Sequence, residues 1–324
     1  MRQPLEFLRK RGTIYMKLVK SNDPKIRSRQ ADPYIFRSGD SYYLYCTGSD
    51  GVHCYKSDKL SDFRYVGIAH SQDSCCQYWA PCVCECDGKF YMYYSSMPKD
   101  SDDVHTEQLK VAVADSPEGP FVFKNTLTAP FSIDADIAVT SGGRYLFYSI
   151  NDHHAERVGT KIVLDKMLDP LTLAGNPKTA VRPTLDEEIF CRDRFKPGEH
   201  WHTIEGANFF YEDGWYYLLF SGNCYENNNY YVGYSRAKAD VDDLCQVEFL
   251  KYPDDNTYHP LLASDTIELG TGHNSTIKVD GQWYIVYHGR DKGDDLSHEC
   301  RTARIAKLMV DNGVLRVEKI LEDE

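Results

Sequence analysis

One short hairpin pattern recurs five times along the chain and restricts the fold more than any other feature. In each copy two runs rich in Tyr, Phe, Val and Ile flank a tight turn that contains glycine. The turn glycines are Gly39, Gly88, Gly142, Gly214 and Gly281. Asp-Gly between two β-favouring runs is a strong local signal for a β-hairpin. Successive turn glycines are 49 (39 to 88) to 72 (142 to 214) residues apart. The repeat is therefore loose in length but constant in type.

Most copies are followed by further strand-like sequence, such as residues 109–114 and 230–235. Four strands per unit, five units and few helix signals predict an all-β, five-bladed β-propeller. We predict a single propeller domain over residues 21–324, preceded by an N-terminal extension over residues 1–20. Residues 167–200, rich in proline and charge, are predicted to form loops between the third and fourth blades. A β-sandwich with coincidental glycine turns is the alternative.

Charge and composition exclude several partner classes. The chain has 324 residues and a net charge of −12, with no basic patch for nucleic acid. It has no apolar run of the length that a membrane helix or a signal peptide needs, so we expect no membrane partner and a cytoplasmic protein. In that compartment we expect the 11 cysteines to be reduced thiols that pack as small apolar groups. A structural metal in the cluster between Cys75 and Cys86 is the alternative, and the oligomeric state stays open.

A polar or aromatic residue opens each hairpin at nearly the same distance, seven to nine positions, before its turn glycine. These residues are Asp32, Trp79, Asp134, Glu205 and His273. The first strand of a propeller blade lines the central channel, so equivalent positions in five blades should converge on the axis. We therefore predict one pocket that contains all five. Each residue also has an ordinary explanation, such as a turn acid, a paired carboxylate or a satisfied core histidine, and Asp136 competes with Asp134.

Five short motifs, in this order, resemble family 43 of the glycoside hydrolases over roughly residues 30–308. They are Ala31-Asp32-Pro33-Tyr34, Trp79-Ala80-Pro81, Ile133-Asp134, Ile204-Glu205-Gly206 and Gly272-His273-Asn274. Two departures from the family pattern are Ala135, where proline is usual, and Cys82, where glutamate is usual.

The resemblance implies a role for each residue of the predicted pocket. Asp32 would be the general base, Glu205 the general acid, and Asp134 the carboxylate that orients the acid and raises its pKa. Trp79 would form the floor of the sugar site. Arg301 would be a late pocket arginine. His273 would contact substrate and lie near an axial calcium or other ion, with no organic cofactor.

The resemblance also implies a reaction and a substrate class. We expect an inverting, exo-acting hydrolase that releases α-L-arabinofuranosyl units from small oligosaccharides, with β-D-xylosyl release as a further activity. Many β-xylosidases of the family carry an extra C-terminal β-sandwich, and none follows the repeats here. This favours an α-L-arabinofuranosidase, and β-xylosidase as the main activity is the alternative. A glycoside phosphorylase would need a phosphate site, for which His200, His202, Arg290 and Arg301 are candidates. A non-catalytic sugar-binding propeller is a further alternative.

Overall fold

The computed structural model describes residues 13–21 and 23–323, which are almost entirely β-strand and connecting turns. Strand β1 (Thr13–Tyr15) and the one-turn helix α1 (Pro24–Arg27) precede the first repeat. The predicted extension over residues 1–20 lies partly outside the described residues, which begin at Thr13. No helix in the described ranges is both long enough and apolar enough to cross a membrane.

Five antiparallel sheets, each built on one of the five hairpins, follow in chain order and form the blades of the propeller. Blade one contains β2 (Tyr34–Ser38), β3 (Ser41–Cys46), β4 (Val52–Ser57) and β5 (Arg64–His70). Blade two contains β6 (Cys75–Cys86), β7 (Lys89–Pro98), β8 (Gln108–Ala114) and β9 (Val122–Thr126).

Blade three contains β10 (Ser132–Thr140), β11 (Gly143–Asp152) and β12 (Gly159–Asp169), with the short β13 (Thr172–Leu173) and β14 (Lys178–Val181) on its outer side. Strand β15 (Ile189–Cys191) leads into blade four, which contains β16 (Trp201–Glu212), β17 (Trp215–Gly222), β18 (Tyr231–Lys238) and β19 (Leu250–Lys251). Blade five contains β20 (Glu268–Val279), β21 (Gln282–Asp291), β22 (Thr302–Asp311) and β23 (Val314–Lys319). Strand β24 (Leu321–Asp323) ends the described chain.

The first strands of the blades form a closed ring. Each of β2, β6, β10, β16 and β20 contacts the first strands of the two neighbouring blades, and β20 contacts β2. Blades three and four are also joined by a short parallel pairing of β12 with β16. The prediction of a five-bladed propeller is therefore confirmed.

Local sequence explains the turn geometry of three of the five hairpins. The Asp-Gly turns at 87–88, 213–214 and 280–281 place both residues at positive φ, between 49° and 82°. This is the backbone of a type I′ turn, whose twist matches that of the flanking strands. Aromatic and β-branched side chains on the strands then pack between neighbouring blades.

Five apolar cores hold the ring together, one between each pair of adjacent blades. Representative buried side chains, from the interface of blades one and two round to that of blades five and one, are Tyr45 and Met92, Tyr93 and Leu146, Phe147 and Leu218, Leu219 and Ile285, and Leu44 and Val286.

The segment before the first blade helps to close the ring. The Leu18 backbone N–H donates to the Ala303 carbonyl of blade five at 2.9 Å, and the Leu18 carbonyl accepts from the Phe63 N–H of blade one at 2.8 Å. The Leu18 side chain is fully buried in the core between these two blades. Strands β1 and β24 pair beside it. Residues 13–19 are thus packed against the propeller.

Candidate active site

Each blade carries a residue with left-handed backbone geometry within its first strand or, in blade one, just before it. These residues are Asp32 (φ 52°), Ala80 (φ 41°), Asp134 (φ 60°), Gly206 (φ 64°) and His273 (φ 44°). In blades two to five this residue lies eight positions before the turn glycine, and the strand pairing is irregular there. Such bulges bend the strand and redirect its side chains. The shared register predicted from the sequence is therefore a repeated bulge, with Trp79 and Glu205 one residue before it.

A cavity of about 340 Å³ opens between these five positions. It is near the lower end of the range for small-molecule sites, about 300–1,000 Å³. All six residues singled out from the sequence line it: Asp32, Trp79, Asp134, Glu205, His273 and Arg301. Residues from all five blades therefore meet in one pocket.

Asp32 is held as a carboxylate. Its Oδ2 accepts from the Thr47 hydroxyl at 2.6 Å, and its Oδ1 accepts from Arg301 Nη1 at 3.2 Å. Burial acts to raise the pKa of Asp32, but the Arg301 charge and the nearby histidines outweigh it and hold this pKa well below its usual value. Burial also lowers the pKa of both His273 and His288. Arg301 is thus the cation that keeps Asp32 ionised at neutral pH.

Glu205 and Asp134 lie in the opposite electrostatic situation. Burial first, and then the charge of Asp32, raise the pKa of Glu205 to about 7, although a 2.9 Å hydrogen bond from the Tyr230 hydroxyl opposes the shift. Burial and the charges of Glu205 and Asp32 raise the pKa of Asp134 well above its usual value. Because each carboxylate disfavours ionisation of the other, the pair retains a proton near neutral pH.

Two neighbouring aspartates in β10 have different surroundings. Asp134 faces the cavity and accepts from the Gly206 N–H at 3.0 Å. Asp136 is buried away from it and accepts from the Phe209 N–H at 2.6 Å. Cys82, which replaces the family's usual glutamate, is fully buried with its Sγ 3.8 Å from Asp136. The register therefore directs Asp134 into the cavity, and Asp136 and Cys82 fasten blades two, three and four behind it.

Arg301 is fixed from three sides. Its Nε is 3.0 Å from both carboxylate oxygens of Glu299, its Nη1 contacts Asp32, and its guanidinium lies 4.8 Å from the centre of the Tyr225 ring. A fork of this kind leaves little rotational freedom. Across the cavity, Trp79 is half-buried and donates from Nε1 to Gln77 at 3.3 Å.

His273 lies on the axis, with its backbone N–H bound to the Ser221 hydroxyl at 2.8 Å. Its Nδ1 is 3.6 Å from Asp32 Oδ1, an oxygen that already accepts from Arg301. Calcium prefers six to eight oxygen ligands. Among residues 13–21 and 23–323 no group of three or more His, Cys, Asp or Glu side chains is arranged to hold a metal. The side chains alone do not form a calcium cage, and the axial ion remains a prediction.

The cysteines and the basic residues considered earlier also have definite places. All 11 cysteines are free thiols. Of the four candidate phosphate ligands, only Arg301 lines the cavity, and its charge is matched by Asp32 and Glu299. His202 instead contacts Arg157, and Arg290 donates to the Tyr225 carbonyl. The phosphate site that a phosphorylase needs is not assembled from these residues.

Several residues of the pocket were missed by sequence analysis. They are Thr47, Gln77, Tyr225, Tyr230 and Glu299, together with His288 behind them. Tyr230 supports Glu205, and the His288 ring stacks on Tyr230 with centroids 5.7 Å apart. His288 also accepts from the Asp32 N–H at 3.2 Å. Gln77 lies in β6 two residues before Trp79, and the others lie on second strands or loops, away from the repeated register. The sequence did hold one signal, the glycine at position 272. A Cβ added there would lie 1.9 Å from the Tyr230 ring, so only glycine leaves room for that ring.

Comparison with known proteins agrees with this geometry. An enzyme of Streptomyces avermitilis named extracellular exo-alpha-(1->5)-L-arabinofuranosidase is 27% identical over 314 residues, covering 87% of this chain and 60% of that enzyme. A beta-xylosidase of Xylanibacter ruminicola is 27% identical over 296 residues, covering 83% of this chain and 82% of the relative. The chain thus spans 60% of the length of the first of these relatives.

A solved structure has the same fold. The crystal structure of a thermostable family-43 glycoside hydrolase superimposes with a TM-score of 0.73 and 28% sequence identity, covering 89% of this chain and 92% of that one.

The names of the relatives contradict one prediction. Two of the matched arabinofuranosidases are named as extracellular enzymes, so the expectation of a cytoplasmic protein is wrong. That expectation depended on the opening residues and on the cysteines. Buried free thiols pack as small apolar groups wherever they are protected from solvent, so they do not identify a compartment.

The family itself is shown over almost the whole chain. Residues 21–315 match the description "Glycosyl hydrolases family 43". With its acids arranged around the axis of a five-bladed propeller, this chain belongs to family 43 of the glycosyl hydrolases.

Proposed function

We propose that the protein is an inverting, exo-acting glycoside hydrolase that releases terminal α-L-arabinofuranosyl units from oligosaccharides. In one step Asp32 takes a proton from a water molecule while the water oxygen bonds to the anomeric carbon. The bond from that carbon to the glycosidic oxygen breaks, and Glu205 gives its proton to the departing oxygen. Asp134 and Glu205 oppose each other's ionisation by like-charge repulsion, so together they keep one proton available for the departing oxygen. Each hydrolysis leaves Asp32 protonated and Glu205 ionised, and exchange with solvent resets both.

The opposed protonation of the acids carries the proposal. An inverting hydrolase needs one ionised and one protonated carboxyl group in the same site. Arg301 favours the ionised form of Asp32, whereas burial and the Asp32 charge raise the Glu205 pKa to about 7. Burial and nearby charges also raise the pKa of Asp134 well above its usual value, so the two coupled carboxyl groups hold a proton between them near neutral pH, and Glu205 carries that proton in the reacting state. A purely sugar-binding propeller would not need this division.

Exo action and sugar type rest on the size of the pocket and on the relatives. A cavity of about 340 Å³ suits one or two sugar rings better than an internal stretch of polymer. Relatives named as exo-arabinofuranosidases support arabinose as the sugar released. A relative named as a beta-xylosidase supports β-D-xylosyl release as the second candidate. A panel of 4-nitrophenyl α-L-arabinofuranoside and β-D-xyloside, assayed with and without chelator, ranks the two sugars and tests the axial ion.

The stereochemistry of the first product tests the mechanism. Proton NMR of the reaction, recorded before the released sugar mutarotates, should show an anomer opposite to that of the substrate. The reason is that water attacks from the face opposite the leaving group. A first product with retained configuration would require a covalent enzyme intermediate and would end this assignment.

The pH dependence of kcat/KM should be controlled on its alkaline side by Glu205. The acid must be protonated, and its pKa is raised to about 7, so the active form is lost as the pH rises through about 7. Asp32 has a lowered pKa and stays ionised down to acidic pH, so the acidic limb of the pH profile lies well below neutral pH. We expect a plateau below about pH 6 and a tenfold fall per unit above about pH 8. A plateau that continues past about pH 9 would contradict the role given to Glu205.

A further inference from the structure

A second, larger cavity of about 660 Å³ lies over blade three, beside the catalytic cavity. Its walls come from the loops before β10 and β16 and from the end of β11. They include Phe131, Ile150, Asn151, His153, Phe195 and Trp201. Its volume is nearly twice that of the catalytic cavity, which is enough for a short chain of sugar rings.

Side-chain contacts hold the aromatic wall of this cavity in place. Arg194 places its guanidinium 4.6 Å from the centre of the Trp201 ring and donates to His105 Nε2 at 3.2 Å across the opening. The Phe195 ring packs edge-on against Trp201 with centroids 6.1 Å apart, yet 62% of Phe195 remains exposed. The Arg194 N–H is also tied to the Glu199 carbonyl at 2.9 Å. Phe195 therefore adds an exposed apolar face to a cavity that polar side chains also line, a combination found at small-molecule sites.

The two cavities are lined by neighbouring segments of blades three and four. Phe131 lies two residues before Ile133, which lines the catalytic cavity, and Ile150 belongs to the strand that pairs with this segment. Trp201 begins β16, four residues before Glu205 on the same strand. The cavity over blade three is therefore in a position to receive a chain that leaves the catalytic cavity on this side.

The positions of the acid and the base decide which part of a substrate leaves on this side. The general acid must lie beside the glycosidic oxygen of the leaving group, and the general base beside the water on the other face. Glu205 and Asp134 come from blades four and three, whereas Asp32 comes from blade one. The leaving group therefore points away from blade one, over blades three and four.

We propose that the cavity over blade three binds the leaving-group part of an oligosaccharide, an inference that rests on the proposed hydrolase function. Aromatic faces stack on the C–H surfaces of sugar rings, and Phe195 and Phe131 provide such faces. Asn151, His153 and Arg194 line the same cavity and supply hydrogen-bonding partners for hydroxyl groups. The preferred substrates are thus oligosaccharides that extend two or more rings beyond the released sugar.

The test is a ratio of two activities. The kcat/KM for an arabino-oligosaccharide of four units is divided by that for 4-nitrophenyl α-L-arabinofuranoside, whose leaving group is a single ring. In Phe195→Ala this ratio should fall about tenfold, mainly through a higher KM for the oligosaccharide, as expected for the loss of one aromatic stacking contact. Tyr211→Ala is the matched control, because Tyr211 is 54% exposed at the opposite end of β16 and should leave the ratio unchanged.

Binding without turnover gives a second readout. Calorimetric titration of the oligosaccharide into Glu205→Gln should give a dissociation constant about tenfold lower than into Glu205→Gln combined with Phe195→Ala. Equal ratios in Phe195→Ala and Tyr211→Ala, with an active parent enzyme, would overturn the cavity assignment and leave the proposed function standing. A parent enzyme inactive on both the arabinosyl and the xylosyl substrates would instead overturn the proposed function, and the cavity assignment with it.

Discussion

Replacing Glu205 with glutamine should lower kcat/KM on oligosaccharides by about 10³-fold, within the range of about 10²–10⁴ that general acid catalysis contributes. A sugar hydroxyl is a poor leaving group and needs the proton that glutamine cannot give. Glutamine keeps the volume of the side chain. Its amide oxygen can still accept the hydrogen bond that the Tyr230 hydroxyl donates to Glu205 at 2.9 Å in the parent protein. On 2,4-dinitrophenyl glycosides the loss should be much smaller, because that phenolate departs without protonation.

Two further observations separate loss of the acid from loss of the fold. In Glu205→Gln the alkaline limb of the pH profile near 7 should disappear, since the group that titrates there is gone. Glu85→Gln is a matched control, because Glu85 lies exposed on another first strand and should behave as the parent enzyme. A uniform loss across good and poor leaving groups would assign the proton donor to another residue.

Replacing Asp32 with asparagine should reduce turnover by about 10³–10⁴-fold on every substrate, at the upper end of the range for general base catalysis. Attack by water is required whatever the leaving group, so activated aryl glycosides should not recover activity. Asparagine can still accept from the Thr47 hydroxyl, now at 2.6 Å, but its missing charge leaves Arg301 with Glu299 alone. The comparison of kcat/KM on 2,4-dinitrophenyl glycosides between the Asp32 and Glu205 variants is the decisive measurement.

Loss of the Asp32 charge should also act on the acid. This charge contributes to the raised pKa of Glu205. The Glu205 pKa should therefore fall in Asp32→Asn, which residual activity or NMR titration of labelled carboxyl carbons can follow. Asp40→Asn, an exposed aspartate in the turn of the same hairpin, should change neither rate nor pKa. Recovery of near-parental rates on activated substrates in Asp32→Asn would remove Asp32 from the role of base.

The sequence predicted the blades well because hairpins are local. Alternating aromatic and β-branched residues favour strands, and Asp-Gly favours the turn that joins them, whatever the rest of the chain does. Since blades two to five share one geometry, counting back from the glycine located Asp134 and His273 at the bulge itself, and in blade one it located Asp32 just before β2. Trp79 and Glu205 were located one residue away.

Residues outside this repeat could not be predicted in the same way. Tyr230 and Glu299 lie beyond the first strands, in loops to which the repeated register does not extend, although each contacts a pocket residue of its own blade. The cavity over blade three depends on Arg194 reaching His105, 89 residues earlier in the chain. No local pattern encodes a contact of this kind.

The sequence alone thus determined the number of blades, the turns and the positions of the acids along the first strands. The register also favoured Asp134 over Asp136 for the cavity, whereas the tertiary structure decided which carboxyl group is ionised. The physical reason is that strand and turn preferences act over a few residues, whereas a pKa depends on burial and on charges from distant parts of the chain. Arg301 lies 269 residues from Asp32 in the chain and 3.2 Å from it in space, and this proximity sets the ionisation of the base.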